Sequence, residues 1–106
     1  MSTINHSQSL LNHIRRILQQ LYRINIADIP PEDQPAHRQA LHEAYLALMR
    51  YENAEFQKSL QASQTQLDQL QQQTQKLVTA LEEEKKTVDK IKLAARGLEL
   101  LKKLVI

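Results

Sequence analysis

Four histidines, His6, His13, His37 and His42, are the side chains of this chain best suited to proton transfer or metal ligation. Their spacing argues against both. His37 and His42 are five residues apart, which sets them about 140° apart around a helix, so they cannot hold one ion together. No His-Glu-x-x-His pattern occurs, and the chain has no cysteine to supply a thiolate. The histidines are expected at the surface, with no metal and no cofactor. A single glycine, Gly97, cannot build a phosphate loop or a nucleophile elbow. An enzyme is not expected.

The charged groups offer recognition rather than reaction. Arg15, Arg16 and Arg23 stand in residues 1–27 without an acid, and residues 28–55 hold six acids against Arg38 and Arg50. Glu82-Glu83-Glu84 precedes Lys85-Lys86, and Glu82 to Lys86 is an acid-before-base pair at i,i+4 that supports a helix. Lys90, Lys92, Arg96, Lys102 and Lys103 face one acid, Glu99, near the C-terminus. The net charge is only +2, and aromatics are 4% of the chain, with Tyr22 beside Arg23 the one stacking candidate. Nucleic acid is therefore an unexpected partner, and no small-molecule substrate is expected. The cationic, apolar segment 90–106 could instead lie on an anionic membrane surface.

The elements that must position these groups read as helices. Leu, Gln, Ala, Lys and Glu dominate, with no Trp and one Gly, so the fold class is all-α. Leu10, Ile14, Ile17, Leu21 and Ile24 recur at helical spacing, widened by Leu11 and Leu18, and predict a first helix over 8–26 capped by Ser7 or Ser9. Pro30, Pro31 and Pro35 predict a prolyl turn over 27–34, with Pro35 in the first turn of the next helix.

From Leu46 onward one heptad register continues to Val105. Its a positions are Leu46, Asn53, Leu60, Leu67, Thr74, Leu81, Val88, Ala95 and Lys102. Its d positions are Met49, Phe56, Ser63, Leu70, Leu77, Glu84, Ile91, Leu98 and Val105. Thirteen of these eighteen are apolar, which predicts one long coiled-coil helix over 35–104, a rod of about 90 Å. Asn53, Ser63, Thr74 and Glu84 dilute the seam, and Glu84 at a d position favours an antiparallel or mixed pairing. The alternative is a three-helix bundle with a turn near Gln71-Gln72-Gln73. The first helix is expected to fold back on residues 36–56 as a helical hairpin, in a single domain over 1–106.

A seam of this kind is buried only by another helix, of this chain or another. The expectation is a non-enzymatic coiled-coil protein, an adaptor, scaffold or chaperone (assembly factor), joining a protein partner or further copies of itself. The contact residues expected are Leu60, Leu67, Leu70, Leu77, Leu81, Val88 and Ile91, with Leu98, Leu101 and Val105 as a second docking site. The alternative is a peripheral membrane protein held by 90–106. In size, helical hairpin and apolar ends the chain resembles small helical chaperones and assembly adaptors of bacterial secretion machines and phages, a likeness of type that no motif carries. The polar N-terminus lacks the layout of a signal peptide and no apolar run reaches ~20 residues, so a cytoplasmic protein is expected.

Overall fold

The computed structural model describes residues 6–53, 56 and 64–102. Among them are four α-helices and no strand: α1 (His6–Arg23), α2 (Gln34–Glu52), α3 (Gln64–Glu83) and α4 (Thr87–Lys102). They pack as a helical bundle. α1 lies against α2 on one side and α3 on the other, and α4 closes the ring between α2 and α3. The molecule therefore comprises two helical hairpins, α1–α2 and α3–α4, set side by side.

The first hairpin follows its proline chemistry. α1 is already helical at His6, so Ser7 and Ser9 lie within it rather than capping it. Its stripe of Leu10, Leu11, Ile14, Ile17 and Leu21 is buried. The chain then makes two short 3-10 turns, Ile26–Asp28 and Pro31–Asp33. The Asn25 side chain accepts from the Ala27 amide at 3.0 Å, an Asx turn that starts the first. Pro35 falls in the first turn of α2, where its missing donor costs nothing.

The long helix over 35–104 does not exist as one piece. It stops at Asn53, whose backbone is extended (φ −71°, ψ 126°) and whose side chain accepts from the Phe56 amide at 3.1 Å. It stops again at Glu84–Lys86, where the Glu84 carboxylate accepts from the Lys85 and Lys86 amides at 3.0 and 3.1 Å. The physical reason is common to both. A polar side chain at an a or d position is costly in a closed seam but can satisfy the orphan amides that a helix break creates. Gln71, Gln72 and Gln73, the expected turn of a three-helix bundle, lie inside α3. Folding back also replaces the 90 Å rod with a body of 46 × 24 × 19 Å.

Leu10, Ile14, Ile17 and Leu21 of α1 meet Tyr51 of α2, Val78 and Leu81 of α3 and Leu98 and Leu101 of α4 in one core. Gly97 supplies a close approach rather than a kink. A Cβ there would lie 3.1 Å from Ile17 Cδ1, so its absence lets α4 cross close to α1. The core face of α2 is His37, Ala40, Ala44 and Tyr51. It is not the a/d face, and Leu46 and Met49 consequently point outward. The heptad register that is continuous in sequence is thus split between the outside of α2 and the inside of α3 and α4.

Candidate functional site

The expected contact residues are distributed unevenly by this fold. Leu67, Leu70, Leu81, Ile91, Leu98 and Leu101 are buried by the chain's own helices. Leu77 and Val88 are half-buried, and Leu60 and Val105 lie outside the described residues. The seam is therefore covered internally over most of α3 and α4. The apolar side of the 90–102 segment is likewise turned into the bundle through Ile91, Ala94, Leu98 and Leu101.

Two of the histidines expected at the surface are buried instead. The His37 ring Nε2 lies 3.0 Å from the Leu21 carbonyl and so caps the C-terminal end of α1. His13 sits between α1 and α3, with Nδ1 2.7 Å from Thr74 Oγ1 and Nε2 2.9 Å from Gln75 Oε1. Burial holds its pKa below the usual histidine value, with Arg16 adding to that effect against the opposing Gln75 hydrogen bond. The neutral ring then donates from Nε2 to Gln75 and accepts at Nδ1 from the Thr74 hydroxyl, an assignment made from the network. Spacing gave no warning of this, because a histidine on an apolar stripe has the same pattern whether or not a partner helix supplies its acceptors.

Polar contacts continue along the join between the hairpins. Arg16 binds the Glu82 carboxylate through two hydrogen bonds of 3.0 and 2.6 Å, which holds Glu82 below the usual carboxylate range. Lys90 donates to the Gln20 amide oxygen at 2.9 Å and to the Leu81 carbonyl at 3.3 Å, closing the C-terminal end of α3. At the other end Lys102 pairs with Glu43 at 2.7 Å and depresses its carboxyl pKa. The Tyr51 hydroxyl donates to the Leu101 carbonyl at 2.9 Å, and burial pushes its pKa up to about 12. All of these groups hold helices together. No set of three or more His, Asp and Glu side chains capable of holding a metal exists among the described residues. No described helix is long and apolar enough to cross a membrane.

Large exposed apolar side chains gather on the outer side of the first hairpin. Tyr22 is 59%, Tyr45 41%, Leu46 44% and Met49 63% exposed. Tyr22 of α1 and Tyr45 of α2 meet edge to face with ring centres 6.1 Å apart, an aromatic ridge across both helices. Beside it an open depression of about 490 Å³ is lined by Arg15, Arg16, Leu18, Gln19, Tyr22 and Arg23. A second, of about 470 Å³, lies between α2 and α4 with Leu46, Arg50 and Leu98 in its walls. The sequence signal for this face was present but hidden. His37, Ala44 and Tyr51 recur at seven-residue spacing and mark the buried side of α2, which turns Leu46 and Met49 to the opposite side. No protein-family model matches this chain, nor does any of the curated proteins or solved structures compared with it.

Proposed function

We propose that the chain is a non-enzymatic interaction protein, an adaptor, scaffold or assembly chaperone, that binds a protein partner by helix packing on the outer face of α2. The observation that carries this reading is the exposure of Leu46 and Met49 at 44% and 63%, beside exposed Tyr45 on the same helix. Contiguous exposed apolar side chains rimmed by charge mark interaction sites far more often than isolated ones do. In finer detail, the two helical hairpins join through α1 and α3, and the partner helix adds to the first hairpin on the side away from that join. The competing membrane reading requires α4 to withdraw Ile91, Ala94, Leu98 and Leu101 from the core, with Ile91, Leu98 and Leu101 each costing about 1.5–3 kcal/mol and Ala94 less. Docking on α2 requires no such opening.

The test is site-specific photo-cross-linking in producing cells. A benzophenone side chain replacing Met49 is expected to give one dominant adduct, identified by mass spectrometry and re-formed from purified components. The same group replacing exposed Gln72 on α3 is expected to give none. Equal adducts from both positions refute the docking face. An adduct with a second copy of this chain makes the partner itself.

A further inference from the structure

We infer that the partner helix is acidic: the outer face of the α1–α2 hairpin is built for an amphipathic segment whose apolar residues are flanked by Glu or Asp. This rests on the docking reading above and adds its chemistry. α1 contains Arg15, Arg16 and Arg23 and no acid. Arg16 is turned towards α3 and closed by Glu82. Arg15 donates to the Asn12 side-chain oxygen at 3.5 Å, and among the described carboxylates it pairs with Glu52, at 3.4 Å with both side chains 48% exposed, a pairing that water screens strongly. Arg23 and Arg38 have no carboxylate at ion-pair distance among the described residues, though Glu82 feels Arg23 at longer range.

The apolar and basic groups lie in one stripe on each helix. On α2, Arg38, His42, Tyr45 and Met49 follow at spacings of 4, 3 and 4, and all four are exposed. On α1, exposed Arg15, Gln19 and Tyr22 follow at 4 and 3. Each is the spacing of one side of a helix, and the α2 stripe covers about 16 Å, or roughly three turns. The two stripes meet at the Tyr22–Tyr45 ridge. A helix laid beside them would place its own i, i+3, i+4 and i+7 residues on Tyr22, Tyr45 and Met49, with Arg15, Arg23 and Arg38 at its edges. A basic helix would meet those guanidiniums uncompensated. An anionic lipid surface shares the attractive chemistry. However, exposed Asp28 and Glu32 in the linker, with Asp33 beside them, bound the face at the Tyr22 end and would be pressed against lipid phosphates. A helix of finite length avoids them.

The experiment uses the labelled full-length chain and three probes followed by NMR. Two are synthetic peptides with one leucine pattern, flanked by Glu in one and Lys in the other; the third is vesicles of phosphatidylglycerol and phosphatidylcholine. The Glu peptide is expected to shift Tyr22, Tyr45 and Met49 and to bind several-fold more tightly than the Lys peptide. That preference is expected to shrink as salt rises from ~50 mM to ~500 mM. In the Arg23→Glu, Arg38→Glu double variant, whose changed positions are exposed, the preference is expected to reverse while helicity is retained. Equal, salt-insensitive binding of both peptides overturns the acidic assignment and leaves the docking face standing. Binding by neither peptide, or shifts confined to α3 and α4, overturns this inference, and the Met49 cross-link then decides the docking reading separately. Vesicle binding that displaces the Glu peptide and vanishes in the double variant overturns it in favour of an anionic surface.

Discussion

Thr74→Val removes one hydroxyl from the contact between α1 and α3 and leaves its shape nearly intact. Thr74 is fully buried, and its Oγ1 lies 2.7 Å from His13 Nδ1 and 3.2 Å from the Gln71 carbonyl, so its one proton goes to the nearer ring nitrogen and the carbonyl is the competing acceptor. Valine leaves the ring nitrogen buried without a partner. The expected loss is that of an unsatisfied buried polar group, about 1–3 kcal/mol. With a urea slope of about 1–3 kcal/mol per molar, that is a midpoint lower by roughly 1 M. In the His13→Leu, Thr74→Val double variant both polar partners are gone, and much of the loss is expected to return. The same histidine gives the pH dependence its sign. Its folded pKa lies below the ordinary 6.5 because of burial, so the unfolded chain binds the proton first. Stability is therefore full above pH 6.5 and is lost as pH falls through 6.5 towards the lower folded value, with a slope of up to about 1.4 kcal/mol per unit. His13→Leu is expected to flatten this segment while leaving the losses from Glu43 and Glu82, which begin near their ordinary 4.5 and continue as pH falls towards their lowered values. Urea melts followed by circular dichroism from about pH 7.5 down to about pH 3, which spans the histidine and the carboxylate ranges, measure all of this. A Thr74→Val midpoint equal to that of the parent protein, or an undiminished pH slope in His13→Leu, refutes the buried node.

Three further outcomes follow from the same packing. Gly97→Val is expected to destabilise by about 1–3 kcal/mol, because its side chain enters the space of Ile17 Cδ1, whereas Gly97→Ala is offset by about 1 kcal/mol of helix propensity; thermal melts compare the two, and equal melts disprove the close approach. Glu84→Ala is expected to cost about 1 kcal/mol by freeing the Lys85 and Lys86 amides, and an unchanged melt means that water caps them equally well. The Leu46→Lys, Met49→Lys double variant is expected to keep its stability within about 0.5 kcal/mol, since both side chains are exposed, while Leu81→Ala costs about 2–5 kcal/mol; a large loss in the double variant means that α2 presents another face to solvent.

Helix type was legible because it depends on local properties: good helix formers throughout, three prolines confined to one link, and apolar residues at spacings of three and four. The α1 stripe and the prolyl reversal needed nothing else. The two later breaks were not legible from spacing. Asn53 and Glu84 stood out as polar residues at seam positions, yet the same feature suits a register-setting coiled-coil residue. Only the capping bonds to Phe56, Lys85 and Lys86 distinguish the two roles.

The candidate face was even less local. Leu46 and Met49 carry the same heptad credentials as Leu81 and Ile91, and the period alone gives each an equal claim to the interior. Periodicity tells which residues of one helix share a side. It does not tell which of two available sides the neighbouring helices cover, because that depends on how the total apolar area of all the helices is buried at once. The amino-acid sequence by itself determined the helical class, the first helix and turn and the need to bury an apolar seam. The tertiary structure decided that α1, α3 and α4 cover most of that seam within the chain and that His13 becomes a buried joint. By placing His37, Ala40, Ala44 and Tyr51 inward, it left Leu46, Met49 and the tyrosine ridge facing out.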